Sequence, residues 1–152
     1  MEIKTFGDLI DWTRQLHSHL ARCLQASAEK NSNERASALL DYISRHETLL
    51  AKAVGEFESQ ADPKALNTRV YDYLNHKPIK VGESCDTRFN TLDFDDISRE
   101  IFAFHDQVMD LYDSLIGKAE IEEAKTLLED LLALEQHEAM RLSSQIGRMN
   151  DI

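Results

Sequence analysis

Four long segments with helical hydrophobic periodicity constrain this chain more than any other feature. Apolar residues recur every three to four positions over about residues 5–29, 34–60, 94–116 and 119–149. That spacing gives each helix one apolar stripe. Because the four helices are similar in length and each must bury its stripe, we predict an all-α four-helix bundle.

Local signals mark where these helices begin and end. Thr5-x-x-Asp8 is a capping box in front of the first helix. Asp95 and Asp96 suit the N-terminus of the third long helix, where the helix dipole favours negative charge. Gly117 is predicted to end that helix.

The links between the long helices are unequal. Short links at about 30–33 and 117–118 predict two antiparallel helical hairpins. The connection 61–93 is much longer, and Asp62-Pro63 predicts a short helix over about 63–75. A connection of this length can cross the bundle and leave the second and third long helices parallel; a local return is the alternative. We treat 1–152 as one domain.

Composition and charge exclude several classes of partner. The chain has 152 residues, 28 of them acidic and 17 Lys or Arg, for a net charge of −11. Without a basic cluster, neither nucleic acid nor an anionic membrane is expected as a partner. The first residues lack the pattern of a signal peptide, and no apolar run is long enough to span a bilayer, so a cytoplasmic location is expected. In that compartment Cys23 and Cys85 are predicted to be free thiols.

Ionisable side chains interrupt the apolar stripes near the midpoints of all four long helices. Drawn as a helical wheel, the second helix puts Glu47 among Ile43, Leu50 and Val54. The same construction turns five side chains inward at one level of the bundle: His17, Glu47, His105, Glu135 and Glu138. Bare burial of these groups costs several kcal/mol per charge unless they are paired or bind a cation. The sequence therefore predicts a metal ion as a partner, held between the helices.

The donor types favour particular metals. Three carboxylates and two imidazoles suit iron or manganese better than structural zinc, which prefers Cys and His. His46 lies about 60° off its stripe and is a further ligand, an outer donor or a flanking residue. His19 and His137 are predicted to face solvent. No reaction is predicted, because no phosphate loop, nucleophile elbow or Cys-x-x-Cys pair is present.

A metal-free interpretation remains open. Glu47, Glu135 and Glu138 would then pair directly with His17 and His105 and fix the register of the helices. Such a bundle would serve as a structural or partner-binding module, for example as a homodimer through surplus apolar residues on the second or last helix.

Two short stretches resemble a known family. Ser44-Arg45-His46-Glu47 and Leu134-Glu135-Gln136-His137-Glu138 both carry a His-Glu pair in mid-helix. With two hairpins and a long middle connection, the chain is similar to the ferritin-like superfamily, in particular its rubrerythrin-like and bacterial di-iron carboxylate members. The resemblance implies ligand roles for Glu47, Glu135 and Glu138, and an internal duplication of which the two His-Glu pairs are remnants.

The sequence departs from the family pattern in its ligand types. The family has a lone Glu on the first and third bundle helices and Glu-x-x-His on the second and fourth. Here His17 and His105 stand at the lone-Glu positions. Glu47 lacks a Glu-x-x-His frame, and Glu135 is followed by Glu138.

Overall fold

The computed structural model describes residues 3–70 and 85–151. Their helices are α1 (Phe6–Lys30), α2 (Glu34–Gln60), α3 (Pro63–Leu66), a 3₁₀ helix (Thr87–Asn90), α4 (Phe94–Ile116) and α5 (Glu122–Asn150). The predicted all-α class is confirmed for this part of the chain, where β pairing is limited to one bridge between Thr5 and Arg69. Within the same residues, no helix combines the length and apolarity needed to cross a membrane.

Side-chain caps fix the starts of three long helices. The Thr5 hydroxyl accepts a hydrogen bond from the Asp8 amide at 3.2 Å, and the Asp8 carboxylate accepts from the Thr5 amide at 3.1 Å. This confirms the predicted capping box. Asn33 and Asp93 each cap the following helix, α2 and α4, with a side-chain oxygen.

The short helix in the long connection differs from the prediction. It ends at Leu66, so the expected helix over 63–75 is wrong for 67–70, and 71–75 lie outside the described residues. The Phe6 amide donates to the Thr68 carbonyl at 3.0 Å, and the Val70 amide donates to the Lys4 carbonyl at 3.0 Å. The chain leaves the helix because this pairing satisfies an amide at the start of α1 that has no partner within the helix.

The last helix also begins later than predicted, at Glu122 rather than near residue 119. The amides of Lys118 and Ala119 donate to the carbonyls of Leu115 and Ile116, forming turns at the end of α4. Residues just after Gly117 therefore continue the end of one helix instead of starting the next.

Hydrogen bonds between α1 and α2 show their relative direction. The Ser37 hydroxyl donates to the Ala28 carbonyl at 2.6 Å, and the Ser44 hydroxyl donates to the Ala21 carbonyl at 2.8 Å. A later residue on α2 thus contacts an earlier residue on α1. The two helices are antiparallel.

Two apolar clusters fill the molecule, one toward each end of the long helices. The first joins the beginnings of α1 and α5 to the ends of α2 and α4, and includes Leu9, Val54, Tyr112 and Leu128. The second joins the ends of α1 and α5 to the beginnings of α2 and α4, and includes Leu24, Leu40, Ile97 and Leu142. Hence α2 and α4 start at the same end of the molecule. The described ends of the long connection pack against different clusters, Ala65 and Val70 against the first and Phe89 against the second.

The two cysteines differ from the sequence prediction. Cys23 and Cys85 form a disulfide across a separation of 62 residues, so the expectation of free thiols is wrong. Cys23 lies on α1 and is buried, whereas Cys85 is exposed just before the 3₁₀ helix. The bond ties the end of the long connection to the first helix.

Candidate functional site

Four ionisable side chains meet between the two apolar clusters. His17 comes from α1, Glu47 from α2, His105 from α4 and Glu135 from α5. Their exposed fractions are 0%, 0%, 1% and 0%. The structure thus brings together four of the five side chains that the sequence predicts to point inward.

These four groups alternate around a closed ring, here called the His/Glu ring. Nδ1 and Nε2 of His17 lie 2.6 Å from Glu47 Oε2 and 2.8 Å from Glu135 Oε1. Nε2 of His105 lies 2.6 Å from Glu47 Oε1, and its Nδ1 lies 3.7 Å from Glu135 Oε2. Three sides of the ring are hydrogen bonds, and the fourth is too long to be one.

The contacts of His17 relate its protons to the charge of its two partners. When both carboxylates are ionised they only accept hydrogen bonds, so both nitrogens of His17 then donate and the imidazole is a cation. Burial lowers the pKa of His17, but the charges of Glu135 and Glu47 and the hydrogen bonds to them outweigh burial and raise it to about 10. The pKa of His105 is raised as well: burial lowers it, and the interactions of His105 with Glu135 and Glu47 outweigh burial and raise it to about 9.

The two carboxylates respond in the opposite direction. Burial raises the pKa of Glu47, yet the charge of His17 and the hydrogen bonds from His105 and His17 hold it well below its usual range. The pKa of Glu135 is also lowered, since the nearby imidazolium groups outweigh its burial. Two cations and two anions therefore cancel within the ring.

A second His/Glu pair lies at the edge of the ring. His46 Nε2 lies 3.1 Å from Glu138 Oε2, and Arg141 donates to Glu138 Oε1 at 3.2 Å. The Glu138 side chain is 17% exposed. The expectation that Glu138 shares the central layer is therefore corrected: it lies at the boundary with solvent, because its partners are His46 and Arg141 on that side.

His46 connects this edge to the ring. Its imidazole is buried, with its centroid 6.3 Å from that of His105. Burial lowers the pKa of His46 despite the opposing charges of Glu47 and Glu138. A groove between α2 and α5 is lined by His46, Glu138 and Leu49 among others. None of the four ring residues lines it, so solvent in the groove meets the His46–Glu138 pair rather than the ring.

Some polar atoms in and beside the ring have unused bonding capacity. Within the described part of the chain, His105 Nδ1, Glu135 Oε2 and His46 Nδ1 are buried and make no hydrogen bond. Buried polar atoms without a partner are uncommon in folded proteins. The first two face each other across the 3.7 Å side of the ring. They mark the side of the ring at which two polar atoms face each other without a hydrogen bond.

The two halves of the site repeat along the chain. His105 follows His17 by 88 residues (105 − 17), and Glu135 follows Glu47 by the same interval (135 − 47). The same offset relates the first residues of the helices, from Phe6 to Phe94 and from Glu34 to Glu122. In both imidazoles, Nδ1 faces the Glu of its own helix pair and Nε2 faces the Glu of the other pair. The His-Glu pairs singled out in the sequence follow a different offset, so Glu138 is not the equivalent of Glu47.

Two further histidines, His19 and His137, lie among the described residues. His137 is exposed, as predicted. His19 is half-buried, and its Nε2 lies 3.5 Å from Cys23 Sγ. Sequence reasoning missed this contact, although a separation of four residues on one helix was a signal that the side chains could meet.

Comparisons with protein-family models, curated proteins and solved structures gave no match. A functional proposal therefore rests on the chemistry and geometry of the site itself.

Proposed function

We propose that this chain is a ferritin-like metal-binding bundle in which the His/Glu ring binds one or two iron or manganese ions. The supporting observation is the meeting of two imidazoles and two carboxylates, all buried, from four separate helices. His46 and Glu138 are additional donors at the rim of the site.

The donor set fits such ions. Imidazole and carboxylate ligands suit iron and manganese. Neighbouring ligands bound to one octahedral ion at about 2.1 Å lie about 3.0 Å apart, so the 2.6–2.8 Å sides of the ring must open by a few tenths of an ångström. The imidazole protons must also leave, since metals bind the neutral ring. The unbonded His105 Nδ1 and Glu135 Oε2 are available with the least rearrangement.

The residues have separable roles in this proposal. Glu47 and Glu135 would hold positive charge in the apolar interior, and His17 and His105 would supply nitrogen ligands. Bound iron or manganese would provide Lewis-acid or one-electron chemistry. His46 and Glu138 would control the approach of small solutes from the groove between α2 and α5.

A metal-free structural bundle is the second candidate, and one observation favours it. The ring already pairs every charge, and three of its four sides are hydrogen bonds. A closed layer of this kind can define helix register without binding anything. Exposed Leu49 on α2 and Met140 on α5 would then support the homodimer suggested by the sequence.

The cellular compartment affects the state of the Cys23–Cys85 disulfide in both candidates. We retain the cytoplasm as the proposed location. Persistent disulfides are rare there, so the Cys23–Cys85 bond would be expected to open and close in response to cellular thiols.

Metal content of a ring variant decides between the candidates. Wild type and the ring variant, Glu47→Gln/Glu135→Gln, are purified without chelator or reductant, and their metal content is measured by elemental analysis. Thermal melts of metal-stripped samples are then recorded with Mn²⁺ or, in the absence of oxygen, with Fe²⁺. Wild type should retain metal and gain about 2.7 kcal/mol of stability at an ion concentration 100 times its Kd, and the ring variant should do neither.

The exposed pair Glu129 and Asp130 on α5 supplies the matched control. Glu129→Gln/Asp130→Asn removes the same two charges and should leave metal binding unchanged. If wild type and ring variant contain equal metal and neither gains stability from Mn²⁺ or Fe²⁺, the metal proposal fails and the structural candidate stands. Gel filtration with Leu49→Glu then tests the homodimer.

A further inference from the structure

A third group of potential ligands lies on the other side of α1. His19 and Cys23 are one helical turn apart, and Cys85 is bonded to Cys23. One ligand atom from each of these three residues lies within 4.8 Å of the other two. His19 follows His17 by two positions, so it projects about 200° around the helix from the His/Glu ring. The group is therefore independent of the ring.

The distances suit a tetrahedral ion when the sulfurs are reduced. Zinc binds His nitrogen at about 2.0–2.1 Å and thiolate sulfur at about 2.3 Å, which puts neighbouring N and S ligands about 3.6 Å apart at the tetrahedral angle. The distance from His19 Nε2 to Cys23 Sγ is 3.5 Å. The imidazole thus already stands at the spacing that zinc requires.

The segment that follows Cys85 is held by contacts other than the disulfide. Asn31 donates from its side chain to the carbonyls of Phe89 and Leu92, both at 3.0 Å. Phe89 is buried in the second apolar cluster, and Asp86 caps the 3₁₀ helix. Cys85 directly precedes this anchored segment, so breaking the disulfide leaves its attachment to the fold in place.

The surroundings allow both a reductant and an ion to enter. Cys85 is exposed and His19 is half-buried, whereas Cys23 is buried at the base of the group. Three protein ligands leave the fourth tetrahedral position to water, as in open zinc sites.

We propose that reduction of the Cys23–Cys85 disulfide creates a zinc site formed by His19 Nε2 and the two Sγ atoms. A dithiol reductant supplies two electrons and two protons, breaks the S–S bond and becomes a disulfide itself. Each thiol then loses its proton as Zn²⁺ binds the thiolate. Oxidation by a disulfide removes two electrons, re-forms the Cys23–Cys85 bond and releases the ion.

Cobalt substitution of the full chain tests this proposal. Co²⁺ bound by thiolates shows a sulfur-to-metal charge-transfer band in the near ultraviolet, and Co²⁺ in the His/Glu ring has no sulfur ligand to produce one. Protein reduced with a phosphine is titrated with Co²⁺ without oxygen, beside untreated protein. The band of the reduced form should grow until one Co²⁺ is bound per chain and should disappear when Zn²⁺ is added. The oxidised form should show no band.

Two histidine variants keep both cysteines and separate a built site from simple thiol binding. His19→Gln should weaken Co²⁺ and Zn²⁺ binding at least about tenfold, since even the loss of an outer hydrogen-bond partner costs about that much. His137→Gln, on the exposed face of α5, should bind as wild type does. Circular dichroism of each reduced sample checks that the helices are intact.

Three results would overturn the inference. They are the absence of the band from reduced wild type, equal affinities for wild type and His19→Gln, and loss of helical signal on reduction. A band that depends on reduction and on His19 supports it, whatever the outcome of the metal analysis at the His/Glu ring.

Discussion

At the scale of single residues, the two carboxylates of the His/Glu ring differ in their contacts: Glu47 makes two hydrogen bonds and Glu135 makes one. Both oxygens of Glu47 lie 2.6 Å from an imidazole nitrogen, one on His17 and one on His105. Glu135 has one such contact at 2.8 Å and a second at 3.7 Å. Glu47 therefore neutralises the two imidazolium groups at shorter distances than Glu135 does.

Glu47→Gln should destabilise the metal-free protein by about 3–5 kcal/mol, because it leaves buried cationic imidazoles without their shared counter-charge. Glu135→Gln should cost less, and Glu138→Gln, at the partly exposed edge, about 1 kcal/mol. Urea unfolding in a chelating buffer measures all three. Equal losses for Glu47 and Glu138 would contradict the account of the ring.

Glu58 provides a residue-scale test of pH dependence outside the ring. Burial and the neighbouring Asp11 raise the pKa of Glu58 to about 7, against the opposing charge of Arg14. Its ordinary value is 4.5, so the folded state holds the proton more tightly than the unfolded state does. The resulting stability is present below pH 4.5 and is lost as pH rises through about 7.

Glu58→Gln should remove this loss. Between pH 5 and 8 the variant should lose less stability than wild type, and the two should converge near pH 4. Thermal melts across that range give the comparison. Glu56→Gln, which alters an exposed residue two positions earlier on α2, should retain the wild-type slope; a matching slope for Glu58→Gln would refute the assignment.

At the scale of helices, two glycines in helical positions have opposite surroundings. A Cβ added at Gly147 on α5 meets nothing within 4 Å, whereas one added at Gly7 on α1 lies 3.2 Å from the Leu66 carbonyl oxygen. That carbonyl belongs to backbone at the end of α3, where the chain is paired with the start of α1. It has little freedom to move away.

Gly147→Ala should stabilise the protein by about 0.5–1 kcal/mol, the usual difference between Ala and Gly inside a helix. Gly7→Ala should destabilise it, because the gain in helix propensity is smaller than the cost of moving the α3 backbone. Chemical denaturation of both variants tests the pair. A gain of similar size at Gly7 would show that the α1–α3 contact yields easily.

At the scale of the whole molecule, the Cys23–Cys85 bond connects segments 62 residues apart. Closing a loop of this length restricts the unfolded chain and is worth up to about 4 kcal/mol. Reduction in the presence of a chelator should therefore lower the Tm. The Cys85→Ser variant should have the Tm of reduced wild type, with or without reductant. A wild-type Tm that does not change on reduction would argue against the bond.

The sequence by itself determined the helices and the direction of their side chains. The capping box at Thr5 acts within one turn, and the helical period relates His17, Glu47, His105 and Glu135 to the apolar stripes around them. These are relations between residues a few positions apart. Such local relations can therefore be predicted without knowledge of the rest of the fold.

Only the tertiary structure decided which of these groups meet. In the folded chain Glu135, not Glu138, joins the ring, and His46 lies at its edge. Cys23 is bonded to Cys85, and residues 67–70 pair with the start of α1. Each outcome depends on the distance between atoms remote in sequence. Helical periodicity gives the angle of a side chain around its own axis, but the depth at which it meets another helix is set by how all the helices pack together.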